Sequence, residues 1–449
     1  MINRFVCVLF FIFTILTMPV FANQQRHIND CIAHIDEHVD QFSLMLQECR
    51  LNDDDVPAVV SYLNTHANIT WLFVSKNNIT EVGAELLAQN RTIKALVIND
   101  NLIGDQGANA LSKMNKLTYV NLAENHLSDN GVLMWAKHPG LTEISLENNS
   151  ITDVSAIAFG KNNLLKGIVL DYNQIGDAGA IGLANNQSFT YLKLDSNRIT
   201  DVGVAAIAKL PKLTTLNLRN NLLTEQSAVE LNKSKSLEFL ELDQNKLGDL
   251  GAKAFSNNTV LFYLSLGDNG ISDQGAQFLS QISARYLKLA NNNITDQGAK
   301  YLANKSWLSN LNLDGNHIGD EGATALAHTK SRLYELNLSH NQITDQGVIA
   351  LATNQNFLWL FLSHNQLTDA GAFVLVTATS LTLLDVSYNH IGLAGLQALR
   401  SNEKWALYDE GNDGREAKTK YLHSQSSELC ERQASFWCYD VLNKKRVMS

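Results

Sequence analysis

From residue 69 onward, apolar and polar positions alternate in short bursts of the form x-Leu-x-Leu-x, as in TYLKLD from Thr190 and TTLNLR from Thr214. Alternation over so few residues predicts a short strand with both leucines on one side and the intervening residues on the other. Each burst is followed by an asparagine, an Ile or Leu, a polar residue and an acid. Gly-Ala-x-x-Leu-Ala comes next, as in ITDQGAKYLA (294–303) and IGDEGATALA (318–327). There the apolar spacing becomes that of a short helix, with Ala299 and Leu302 facing inward together. The acid, present in 13 of 14 units with Leu393 as the exception, suits the positive end of such a helix. The glycine two residues later is replaced only by Ser155 and Ser227, and lets the helix approach its neighbour closely.

The pattern repeats every 24 residues. Its asparagine falls at Asn77, Asn101, Asn125, Asn149, Asn173, Asn197, Asn221, Asn245, Asn269, Asn292, Asn316, Asn341, Asn365 and Asn389, with one step of 23 and one of 25. A side-chain amide both donates and accepts, so these residues predict a buried polar ladder serving the turn's unpaired backbone groups. One unit cannot bury its own apolar face, so the units must stack. Strands stack about 4.8 Å apart and helices about 8–10 Å apart. That mismatch predicts a curved α/β solenoid of about 14 repeats, parallel strands concave and helices convex.

The consensus LxxLxLxxNx(I/L) resembles the leucine-rich-repeat family, over about three-quarters of the chain. Its helical second half is similar to the ribonuclease-inhibitor-like class, and most of all to the bacterial GALA-type repeat of 24 residues. That resemblance implies a bacterial exported protein that meets host molecules. The F-box segment that accompanies GALA-type repeats is not recognisable, which argues against a ubiquitin-ligase role.

The pattern changes at both ends. Residues 1–22, MINRFVCVLFFIFTILTMPVFA, read as a secretory signal: Arg4 supplies the positive end, a short apolar run follows, and Val-Phe-Ala precedes a cut after Ala22. The apolar run is short for a bilayer span of about 20 residues. The expected product is secreted or periplasmic, with no membrane insertion after cleavage. Residues 23–68 fit a helical N-terminal cap, in which Pro57 is tolerated only in a first helical turn. Residues 69–400 are the repeats, and 401–449 fit a C-terminal cap. Four cysteines remain after cleavage, Cys31, Cys49, Cys430 and Cys438, an even count that suggests disulfides in an exported chain. Three pairings are open from sequence alone; the length of the array between the ends leaves Cys31–Cys49 and Cys430–Cys438.

Charge narrows the partners. A net charge of −10 argues against nucleic acid or an anionic membrane, which need clustered cations. Because the repeat residues are scaffold, function is expected in what varies on the strand face. The first outward column holds Trp71, Tyr119, Tyr191, Phe239, Tyr263, Tyr286 and Trp359, half of its 14 positions; the middle column adds Phe73 and Phe361. Exposed aromatics on a rigid surface contribute contact area at small entropy cost. The third column carries Asp171, Asp195, Asp243 and Asp314, which would complement a basic partner. The expected function is recognition of a protein or peptide by the concave face. The competing reading is carbohydrate binding, since the same rings stack on sugars.

Three other chemistries find less support in the sequence. His340 and His364 hold equivalent positions in adjacent units, with His317 and His390 one column away, which could suit zinc or copper. Near-identity of SHNQITDQG and SHNQLTDAG makes unit duplication the better explanation. The stretch DGNHIGDEG (314–322) starts like a calcium loop but has Ile318 and Ala325 where the fifth and twelfth ligands belong. No nucleophile elbow, phosphate loop or His-Glu-x-x-His occurs, so neither catalysis nor a cofactor is expected.

Overall fold

The computed structural model describes residues 42–305 and 307–413. They fall into two compact units, the first ending at Leu222 but also holding 233–237, the second taking the remainder. Each unit repeats one device, a three-residue strand followed by a turn and a helix. Eight strands from Ser43–Met45 to Thr215–Asn217 belong to the first unit, and eight from Phe239–Glu241 to Ala406–Tyr408 to the second. Within each unit consecutive strands pair in parallel without offset, so that Leu72 faces Leu44 and Leu96, and Leu287 faces Leu264 and Leu311. The middle aliphatic residue of each strand points under the sheet and is buried there. Each unit is thus an α/β solenoid, sheet on one face and helices on the other.

Fourteen of the strands fall on the expected bursts. The other two lie beyond the asparagine series. Ser43–Met45 is a strand where a helical cap was expected, because Leu44 and Leu46 alternate inward as in any other unit. Cys49 stands where that unit's asparagine would be, buried and disulfide-bonded. Cys31, Cys430, Cys438 and the expected signal, residues 1–22, lie outside the described residues. The expected helix follows at Val56–Thr65 with Pro57 in its first turn. At the other end Ala406–Tyr408 pairs with Leu383–Asp385. Here Asp409 replaces the second inward leucine and is held by Arg400 Nε at 2.6 Å. Asn412 supplies a further rung, accepting from Asn389 N–H at 3.1 Å.

The asparagine ladder has the expected chemistry. Asn173 Nδ2 donates to the carbonyls of Leu146, Leu170 and Asp171 at 2.9, 3.2 and 3.0 Å, and its Oδ1 accepts from Ile151 N–H at 2.9 Å. One amide therefore ties two consecutive units together. It braces a turn whose preceding residue lies in the left-handed region, from Lys76 at φ 55° to Tyr388 at φ 54°. Side chains other than glycine reach that region at a cost of about 1–2 kcal/mol.

A second ladder was not legible in the sequence. Nine of the described helices are capped not by the acid but by the Thr or Ser before it; Thr200, for example, accepts from Val202 N–H. The acid reaches forward instead. Asp177 Oδ1 accepts from the N–H groups of Thr200 and Gly203 at 2.8 and 3.0 Å, and Oδ2 from the Thr200 hydroxyl at 2.6 Å. Asp320, expected to cap its own helix, does the same for Thr344 and Gly347. The conserved-looking glycine makes this possible: a Cβ on Gly203 would stand 2.7 Å from Asp177 Oδ1. In the same series, burial opposes ionisation of Asp129, but hydrogen bonds from Ser155 and Thr152 outweigh it and hold its pKa below the usual carboxylate value.

Candidate functional site

The outward residues of each strand stand side by side at strand spacing, so contacts among them follow from what the next strand carries. In the first unit large residues alternate with small ones. Trp71 and Tyr119 lean over Ala95 until their rings are 5.9 Å apart, and Phe73 lies 6.0 Å from Trp71. Trp71 keeps 41% of its surface exposed. Tyr191 lies across Gly167, where a Cβ would meet its ring at 1.9 Å, and donates to Glu143 Oε2 two strands away at 3.1 Å. Burial, and then the nearby Glu143 charge, push the Tyr191 phenol up.

The second unit carries three aromatics in succession. Phe239, Tyr263 and Tyr286 pack with centroid separations of 6.4 and 6.5 Å, and Phe262, just outside the strand, wedges against Phe239 and Tyr286 at 5.7 and 5.0 Å. Tyr263 is only 6% exposed, with Lys288 Nζ 5.5 Å from its ring centroid. It supports the patch rather than presenting itself. Phe262, exposed and outside the column pattern, takes that place. Further along, Trp359 and Phe361 share one strand and are half-buried.

The acidic column is also corrected in part. Asp171 and Asp195 are 8% and 6% exposed, because their carboxylates turn along the sheet rather than outward. Asp171 Oδ1 accepts from Asp195 N–H at 2.7 Å and Asp195 Oδ1 from the Ser196 hydroxyl at 2.8 Å. Asp243 Oδ1 likewise takes the Ser265 hydroxyl at 2.6 Å and Gly267 N–H at 2.8 Å. Asp314, half-buried, pairs with His340 Nδ1 at 2.8 Å.

Burial pushes the Asp171 carboxyl from 3.8 up to about 7, against the hydrogen bond from Asp195. Between those two values the folded chain holds a proton the unfolded chain has lost, so stability falls as pH rises through the window. Asp171→Asn keeps the acceptor and removes the charge. We expect it to raise Tm at about pH 8 and to leave Tm unchanged near pH 3.5; equal effects at both pH values would contradict a buried charge at this position.

The histidines do not converge. His340 and His364 stack face to face at 4.1 Å, and His364 on Tyr388 at 4.4 Å. Parallel rings hold their nitrogen lone pairs in parallel planes, which cannot meet at one ion. Among the described residues no group of three His, Cys, Asp or Glu side chains could hold a metal. Two open cavities lie on the helix side, one beside Met134 and Leu164 and one beside Lys300 and Glu321.

Leucine-rich-repeat sequence profiles match residues 67–127, 187–247 and 331–391, and a second form matches 161–184, 257–280, 285–303 and 304–327. Together they cover more than half of the chain, which belongs to the leucine-rich-repeat family. No curated protein matches its sequence. Among solved structures the chain is similar to an internalin, inlF, of Listeria monocytogenes, with 23% identity over 82% of this chain and 94% of that one and a TM-score of 0.49. It is similar to a leucine-rich-repeat protein of Leptospira interrogans at 18% identity over 77% and 91%, TM-score 0.47. The ectodomain of the Arabidopsis receptor kinase HAESA, solved with a peptide hormone, follows at 16% identity over 83% and 71%, TM-score 0.43.

Proposed function

We propose that this chain is an exported recognition protein that binds a protein or peptide across its sheet face and performs no catalysis. The observation that carries the reading is the pair of aromatic surfaces, Trp71–Phe73–Tyr119 in the first unit and Phe239–Phe262–Tyr286 with Trp359 and Phe361 in the second. Both stand on a backbone fixed by two polar ladders, so little entropy is lost when a partner covers them. The leader-like residues 1–22 support export, the resemblance to GALA-type repeats supports a bacterial source and an encounter with host molecules, and the even cysteine count supports disulfide-stapled ends. The 24-residue period with a helix in each unit supports the ribonuclease-inhibitor-like class. Among the described residues no helix is long and apolar enough to cross a membrane.

The test is a pull-down from the organism's surroundings with the mature chain, repeated with Trp71→Ser and Phe73→Ser together and with Trp359→Ser and Phe361→Ser together. Each pair is expected to weaken binding at least about tenfold while Tm moves by no more than about 2 °C, since these rings are not core. Unchanged binding in both variants removes the sheet face from the proposal. Retention of a glycan instead, insensitive to salt, would favour the carbohydrate reading.

A further inference from the structure

The first outward column contains two glutamates, and the fold treats them differently. Glu143 is answered within the chain: Gly167 leaves room for Tyr191 to cross and donate to its Oε2 at 3.1 Å. Glu335 has no such partner. The residue two strands on is Leu383, and the strand between carries Trp359 rather than a glycine. Its carboxylate receives one hydrogen bond among the described residues, from Asn310 Nδ2 to Oε2 at 2.6 Å. Yet Glu335 is only 4% exposed. Its Oε1 accepts no hydrogen bond from a described residue, and it is not one of the sealed, unpartnered side-chain atoms, which are Asn109 Oδ1 and Ser155 Oγ. A carboxylate this deeply covered with an oxygen still open is costly unless something donates to it.

What surrounds it defines the donor. Trp359 lies directly opposite on the next strand, Asn310 on the preceding one, and Tyr286 one strand further. The Glu335 charge is felt at the Tyr286 phenol, which burial and then that charge push up. Lys288 is the nearby cation of this chain and acts on Glu335 through space, without a hydrogen bond to it. Its ammonium lies 5.5 Å from the centroid of the Tyr263 ring. A buried carboxyl with Trp359 on the next strand and Tyr286 two strands back fits a flat cation, which gains from the carboxylate and from the ring faces together.

We propose that Glu335 Oε1, between Trp359 and Tyr286, is the seat for an arginine side chain of the partner. The inference rests on the sheet-face reading and gives that face one chemically specific contact. It also relocates the preference for a basic partner, from the third-column aspartates to a single first-column glutamate.

The probe is N-acetyl-arginine amide, with N-acetyl-citrulline amide as its uncharged isostere, titrated into full-length protein labelled with 5-fluorotryptophan and followed by 19F NMR. The Trp359 resonance, assigned by its loss in Trp359→Phe, is expected to shift with the arginine probe and at least about tenfold less with citrulline. In Glu335→Gln, which keeps the shape and the Asn310 contact, the arginine shift is expected to disappear while the other tryptophan resonances stay in place. N-acetyl-lysine amide is expected to shift Trp359 less than arginine does. Equal shifts from arginine and citrulline in the unaltered protein would overturn the proposal, and so would an arginine shift that survives Glu335→Gln. This readout needs no natural partner, so it can fail while the aromatic pull-down succeeds, and the reverse.

Discussion

Replacing Gly160 by alanine should destabilise the first unit by about 3 kcal/mol or more, at the upper end of what overpacking costs. Gly160 follows the helix Asp153–Phe159 with φ −60°, an ordinary helical conformation, so backbone freedom is not the reason. Space is. A Cβ at residue 160 would stand 1.9 Å from the Gly182 carbonyl oxygen and 2.6 Å from its carbonyl carbon. Both are backbone atoms of the next repeat and cannot rotate away. Gly182 is tight in return, since its own Cβ would come within 2.7 Å of Ile157 Cα. The two glycines let the helices Asp153–Phe159 and Asp177–Leu183 close on each other, and alanine at 160 must push them apart. Gly176→Ala is the control, because its nearest neighbour, Asp153 Oδ2, lies at 3.4 Å. That variant should cost less than about 1 kcal/mol. The comparison is read from urea midpoints, and equal midpoints for the two variants would refute the packing argument.

The second large effect is expected at the ladder. Asn173→Leu preserves volume but removes the donor to three carbonyls and the acceptor for Ile151 N–H. Each buried backbone group left unpaired costs about 1–3 kcal/mol, so a loss of about 4 kcal/mol is expected even if water reaches some of them. The damage should also be local in a recognisable way. Because the amide spans two units, amide exchange at Ile151 should accelerate together with that of the turn around Asp171, while the second unit keeps its protection. Asn163→Ala, at an exposed loop position, should leave both unchanged. An Asn173→Leu protein with intact protection at Ile151 would mean that the ladder is not a stability element.

The repeat was legible because it obeys two short periods at once. Leucines two apart must share a strand face, and the Gly-Ala-x-x-Leu-Ala spacing must share a helix face, so the fourteen internal strands lie where the apolar pattern puts them. The terminal units were less legible because their marker residue changes: Cys49 replaces the asparagine at one end, and Asp409 replaces a leucine at the other. The aspartate after each capping Thr or Ser could be assigned to a helix end from sequence, but not to the next unit's helix. That assignment needs the distance between units, which stacking sets.

The candidate site divides along the same line. Sequence identified which residues face outward, including Trp71, Tyr119, Phe239, Tyr286 and Trp359, because alternation in a strand fixes the side of the sheet. It could not say which of them stay uncovered, since that depends on the residue one or two strands away. Tyr263 is covered by its neighbours, Asp171 accepts from a backbone N–H and Asp195 from the Ser196 hydroxyl, and Asp314 pairs with His340. Glu143 accepts from a tyrosine that a glycine lets through, whereas Glu335, beside Trp359, accepts only from Asn310 among the described residues. The apolar pattern fixes the solenoid, its period and the side of the sheet that each strand residue takes, because these follow from alternation within one 24-residue unit. The tertiary structure alone decided which outward groups are satisfied and which remain open, because residues 24 or 48 positions apart in the chain are neighbours across the sheet.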